Sequence, residues 1–135
     1  MRSGVAGKPG PGGRVVHALK IGLEAPRAEL YDWIAHRVDR MLASGWRAEV
    51  STLIDAGVNP GSQALKGIGV AEMATHIAGG YGLEETRQLV VRRTRNYAKR
   101  QLTWFRADSE VRWFDVTAQS LSDIVGTMLE TLSAP

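Results

Sequence analysis

From Thr94 to Arg106 the chain reads TRNYAKRQLTWFR, which sets Arg95, Lys99, Arg100 and Arg106 among Tyr97, Trp104 and Phe105, with Arg92 and Arg93 just upstream. Between Arg87 and Arg106 stand seven Lys or Arg and no Asp or Glu, in a protein whose formal net charge is only +3. The rest of the chain, ten basic residues against fourteen acids, therefore carries about −4. Clustered cations interleaved with aromatic rings are the composition that contacts phosphates and nucleic acid. At about 100° per residue, Arg92, Arg95, Lys99 and Arg106 share an arc of about 60°, a cationic stripe along a helix. Val91, Ala98, Leu102 and Phe105 form a neighbouring apolar stripe, which Val90, Tyr97 and Trp104 extend at intervals of seven residues. One face can thus pack on a core while its neighbour meets phosphates. No acid interrupts the cationic stripe, so self-repulsion without a ligand would cost stability. For Trp104 and Phe105, aromatic residues in an apolar helical stripe, the expectation is core packing rather than base stacking.

The elements that must position this stretch can be read in chain order. Residues 1–13, MRSGVAGKPGPGG, are rich in Gly and Pro and predict a disordered leader, leaving 14–135 as the folded part. Gly7-Lys8 is not a phosphate-binding loop. Pro9 stands where a Ser or Thr should hold Mg²⁺, and no glycine lies five residues before Gly7. Arg14–Leu23 alternates loosely enough for a short edge strand. Pro26 suits the first turn of a helix over Arg27–Ser44, with Leu30, Trp33, Ile34, Arg37, Val38, Met41 and Leu42 on its buried side. Arg37, at the edge of that stripe, reads as a snorkelling or salt-bridged arginine with Asp39 or Asp32 as partner. A second helix, Arg47–Ala56, stops at Gly57 before the Asn59-Pro60-Gly61 turn. Lys66-Gly67-Ile68-Gly69 precedes a helical run, Val70–Ala78. Two glycines there either bring backbone amides to a ligand or make a plain turn. The long helix starts at Leu83-Glu84-Glu85, with acids at its positive end. Val111–Asp115 predicts a short strand and Leu121–Leu132 a final helix capped by Ser120. The fold class is mainly α, about five helices with one or two short edge strands.

TRNYAKRQLTWFR closely resembles the C-terminal signature of bacterial tRNA dimethylallyltransferases. RVDRMLASGWRAEV and ALKGIGVAEM extend the resemblance in the family's order, over roughly residues 21–115. It implies the C-terminal part only of a P-loop-type α/β transferase, without its nucleotide-fold core. The reaction it implies is transfer of a dimethylallyl group from dimethylallyl diphosphate to N6 of the adenosine 3′ of the anticodon. That chemistry needs a diphosphate cradle, Mg²⁺ on the leaving group and a base near the amine. The P-loop and catalytic aspartate that supply them in the family have no counterpart here, so the isolated chain is expected to be inactive and to hold no Mg²⁺ ligand. By resemblance, Arg37 would face the diphosphate, a role that the permanently charged guanidinium fork suits. Lys66, Gly67, Gly69, Arg95, Lys99, Arg100, Gln101, Thr103 and Arg106 would contact the anticodon stem-loop of the tRNA. Val70 and Ala71 depart from the pattern, standing where the family has a tyrosine and a basic residue.

Bulk properties agree with this reading and exclude others. The 135 residues suit one domain or a piece of one. There is no cysteine, hence no disulfide framework and no thiolate zinc site, in keeping with a cytoplasmic setting. His17, His36 and His76 lack ligand-like spacing and read as surface or packing residues. No apolar run approaches the roughly 18 residues that span a bilayer, and no secretory h-region is present. Two readings stay open beside the transferase: a stand-alone basic helical module that binds RNA, and a subunit that completes a split enzyme by docking on a separate P-loop chain.

Overall fold

The computed structural model describes residues 18–59 and 61–134. The glycine-rich leader, its Gly7-Lys8 pair and His17 lie outside the described residues. The elements are β1 (Ile21–Glu24), α1 (Arg27–Ala43), α2 (Trp46–Asp55), a 3-10 turn (Gln63–Leu65), α3 (Val70–Ile77), α4 (Leu83–Arg106), β2 (Arg112–Asp115) and α5 (Leu121–Ser133). Mainly helical architecture with one small sheet is what the periodicities predict. The described residues divide into two compact units, Arg27–Gln101 and a second that joins residues 18–26 to residues 102–134.

The first unit is a helical bundle. Its core gathers Ile34 and Val38 of α1, Trp46 and Val50 of α2, Met73 of α3 and Val90 and Val91 of α4. Each such side chain is worth about 1.5–3 kcal/mol when taken out of water. α1 packs through a narrower face than its sequence suggests. Trp33 is 45% exposed and Arg37 is also on the surface. Each precedes a buried residue by one position, which turns it about 100° away from Ile34 and Val38. Arg37 finds neither Asp32 nor Asp39 as a partner. Asp39 is taken instead by Arg87 of α4, whose Nε and Nη2 donate to its two carboxylate oxygens at 2.5 and 2.9 Å. Two turns along, Arg95 Nη2 donates to the Tyr31 carbonyl at 3.2 Å, and its guanidinium lies 4.8 Å from the Tyr31 ring centroid. The sequence offsets run in opposite senses, so α1 and α4 are antiparallel and stapled by two arginines. Thr86, fully buried, satisfies its hydroxyl on the Gly82 carbonyl at 2.8 Å.

The second unit holds β1 and β2, paired in parallel from Ile21↔Arg112 to Glu24↔Asp115. Of the expected strand over Arg14–Leu23, residues 14–17 lie outside the described residues, and the described strand is Ile21–Glu24. Gly22 faces Trp113 in the register, and a Cβ on it would stand 2.6 Å from the indole, so only glycine allows this close approach. Lys20 donates to Asp108 and Glu110 at 2.9 and 2.7 Å. Those two carboxylates push the lysine's pKa up to about 12. Phe114 and Ile124 are the buried apolar residues of this unit among those described. Ser120 caps α5 as expected, its Oγ accepting from the Asp123 N–H at 3.1 Å.

Candidate nucleic-acid interface

In the helical unit the Lys66–Gly69 turn and α4 meet at one buried acid. Glu72 stands in the first turn of α3, and its side chain is only 2% exposed. One carboxylate oxygen, Oε2, accepts the Gly69 N–H at 2.7 Å; the other, Oε1, pairs with Nη1 of Arg93 on α4. A single side chain therefore caps α3, fixes the glycine turn and holds an α4 arginine. Gly69 adopts φ 95°, in the region that glycine favours, and a Cβ there would meet the Trp46 indole at 2.9 Å. The turn is set from both sides, by the Glu72 carboxylate and by the ring beneath it.

This geometry redistributes the expected contacts. The Gly69 amide is bound to Glu72 and is not offered to a ligand. Lys66 and Gly67 are exposed, and the Gly67 carbonyl accepts from Val70 and Ala71, the start of α3. Arg95 is half-buried on Tyr31 and acts between helices. Lys99, Arg100 and Gln101 are exposed along α4 in the helical unit. Thr103 and Arg106 belong to the other unit, where Arg106 donates to Glu24 at 2.9 Å. Arg37 remains on the surface of α1. The expected stripe is accordingly split. Acids contributed by β1, α1 and α3, namely Glu24, Asp39 and Glu72, engage three of the seven cations between Arg87 and Arg106.

What α4 leaves toward solvent is a ridge of Arg92, Asn96 and Arg100, each four residues from the next and all exposed. Arg92 and Arg100 have no ion-pair partner among the described residues. Arg93 and Tyr97, 47% exposed, flank the ridge. The expectation of core packing fails for Trp104, which is 73% exposed and meets Phe105 edge-on at 4.9 Å between ring centroids. Both rings lie on a stripe whose upstream members, Val90 and Val91, are buried, whereas at its downstream end Leu102 is half-buried and Phe105 is 42% exposed. Glu72 and Arg93 are the organising residues that the sequence reading passed over. The signal was the Gly-x-x-Glu spacing at a helix start, an acid three residues after the N-cap.

Among the described residues no three His, Cys, Asp or Glu side chains gather as they would to hold a metal ion. A concavity of about 620 Å³ lies along α1, lined by Trp33, His36, Asp39, Arg40 and Ala43, and does not include Arg37. His76 Nδ1 donates to the Tyr81 carbonyl across 2.8 Å and serves the turn after α3. No described helix is long and apolar enough to cross a membrane.

The comparisons with known proteins point one way. The profile of the family described as IPP transferase matches residues 6–108. A tRNA dimethylallyltransferase of Alkaliphilus metalliredigens is 44% identical over 114 residues, covering 84% of this chain and 36% of the relative. One from Pelobacter propionicus is 50% identical over 98 residues, covering 73% and 32%. The crystal structure of the full-length tRNA isopentenylpyrophosphate transferase of Bacillus halodurans superposes with a TM-score of 0.79 at 37% identity, over 85% of this chain and 38% of that one. The chain spans about a third of the length of the curated relatives it matches. With a profile match over most of its length and a shared fold at this identity, the chain belongs to the IPP transferase family.

Proposed function

We propose that this chain provides the C-terminal, RNA-contacting part of a tRNA dimethylallyltransferase. The solvent ridge of α4 lies along the phosphates of the anticodon stem-loop, with Arg92 and Arg100 as point contacts, Lys99 and Gln101 beside them, and Lys66 at the neighbouring glycine turn. Arg37 faces the diphosphate of dimethylallyl diphosphate in the assembled enzyme. Mg²⁺, which neutralises the leaving diphosphate in such chemistry, would be held by residues outside those described. The observation that carries the reading is the exposed Arg92–Asn96–Arg100 ridge, two guanidinium groups without acids in the one segment where the chain's positive charge concentrates. Guanidinium groups on a helix ridge suit phosphate contact because they stay charged and offer several donors each.

The test is anisotropy of a fluorescein-labelled anticodon stem-loop titrated with the chain across a range of salt concentrations. Wild type is expected to bind with an affinity that falls linearly with the logarithm of salt. Arg92→Ala/Arg100→Ala should weaken binding and flatten the slope by about one to two. An unchanged slope in the double variant would sink the placement of RNA on this ridge. With labelled dimethylallyl diphosphate and tRNA, the chain by itself is expected to bind without transferring the prenyl group.

A further inference from the structure

Asn96 stands at the centre of the exposed α4 ridge, four residues after Arg92 and four before Arg100. Its side chain is exposed, and no hydrogen bond holds its amide among the described residues. Asparagine in an exposed helix interior costs stability relative to alanine, lysine or glutamate, because its side chain favours caps and turns. A glutamate at this position would reach both arginines at i−4 and i+4 spacing and stabilise the helix further. The ridge takes neither gain. Asn96 leaves both guanidinium groups free of an acid, and it places one neutral group, able to donate and to accept, between them.

We infer that Asn96 is a specificity-determining residue of this surface: its amide hydrogen-bonds a ribose 2′-hydroxyl that lies between two phosphates held by Arg92 and Arg100. The inference rests on the RNA reading of the ridge and names what the ridge recognises besides charge. Arg92 and Arg100 are eight residues apart, about 12 Å along the helix axis. That span is longer than a single nucleotide step, so two phosphates of one strand bracket at least one ribose opposite Asn96. The 2′-hydroxyl both donates and accepts, as the amide does. In an A-form stem the major-groove edges of the bases lie out of reach of side chains, whereas the 2′-hydroxyls are displayed in the wide minor groove. A base edge is therefore the poorer partner for a side chain as short as that of asparagine, set between two phosphate contacts. Phosphate contacts position a protein on its nucleic acid, and the 2′-hydroxyl is what tells RNA from DNA. Asn96 supplies that distinction on the ridge.

The experiment titrates the full chain into a labelled anticodon stem-loop RNA, and into a set of the same RNA in which one ribose at a time is replaced by 2′-deoxyribose, followed by anisotropy. In wild type one or two deoxy positions are expected to weaken binding about three- to tenfold, as loss of one hydrogen bond does. Asn96→Ala should lower affinity for the all-ribose RNA by the same factor, and the deoxy substitution at those positions should then cost nothing further. The salt slope of Asn96→Ala should match wild type, because no charge is lost. Exchanging the base pairs at the sensitive positions should leave the deoxy penalty unchanged. A penalty that follows the base pair rather than the ribose would overturn the inference. So would a deoxy penalty as large in Asn96→Ala as in wild type, or an Asn96→Ala variant that binds like wild type. Where Arg92→Ala/Arg100→Ala still flattens the salt slope, those results remove Asn96 alone and leave the ridge standing. A slope that the double variant leaves unchanged would overturn the ridge and Asn96 together.

Discussion

Glu72 illustrates how one side chain can serve three structural tasks, and what its loss would do follows from its burial. Removing the carboxylate in Glu72→Ala leaves the Gly69 N–H without its acceptor and Arg93 without its acid, at a site that is almost wholly buried. The expected cost is about 2–4 kcal/mol, read from the midpoint of urea unfolding at unchanged m-value. Glu72→Gln is the more informative change. Its amide oxygen can still cap Gly69, so stability should fall less, while Arg93 is released from its ion pair. A released Arg93 lies beside the Arg92–Arg100 ridge and can reach a phosphate. The salt dependence of stem-loop binding should then steepen by about one. A slope that stays the same in Glu72→Gln would mean that Arg93 does not join the RNA surface. Sequence alone exposed the cations but not their fates. It shows that no acid lies between Arg87 and Arg106, yet Asp39 and Glu24 reach two of those cations, Arg87 and Arg106, from 48 and 82 residues away. Tertiary pairing of that kind leaves no mark on local spacing.

At the scale of elements, α1 and α4 are locked by the Arg87–Asp39 fork and the Arg95–Tyr31 contact, and the first has a predictable pH response. Hydrogen bonding to Arg87 holds the Asp39 carboxyl below its ordinary value. A depressed carboxylate contributes stability above its unfolded pKa, about 4, and loses that contribution as pH falls through the folded value. The helical unit should therefore lose stability below about pH 4 more steeply in wild type than in Asp39→Asn, followed by circular dichroism in urea. Parallel curves for the two proteins would show the fork to be energetically silent, as some exposed pairs are. The elements themselves were legible from sequence because their signals are local. Gly45 separates α1 from α2, the Glu84-Glu85 pair opens α4, and Ser120 caps α5, all within a residue or so of the expected bounds. Trp33, Arg37 and Trp104 were misplaced for one shared reason. Periodicity gives the azimuth of a side chain on its helix, but how far the neighbouring elements extend over that azimuth is a tertiary fact. Trp104 shares its azimuth on α4 with the buried Thr86 and Val90, yet it is 73% exposed.

The whole molecule divides its apolar burial unevenly, and that has a measurable consequence. The helical unit buries a cluster of seven side chains from four helices, whereas Phe114 and Ile124 are the buried apolar residues of the sheet-bearing unit among those described. With local stability tracking buried apolar contact, opening of the second unit should require much less free energy than opening of the first. Hydrogen exchange followed by mass spectrometry would then find the amides of α3 and of Val90–Val91 in α4 protected the longest. Those of β1, β2 and α5 should exchange through an earlier opening that leaves the helical unit protected. Met73→Ala, which empties a fully buried position, should cost about 2–5 kcal/mol and collapse the difference by lowering the protection of the helical unit toward that of its neighbour. One cooperative opening shared by all five helices in the wild-type chain would contradict this partition.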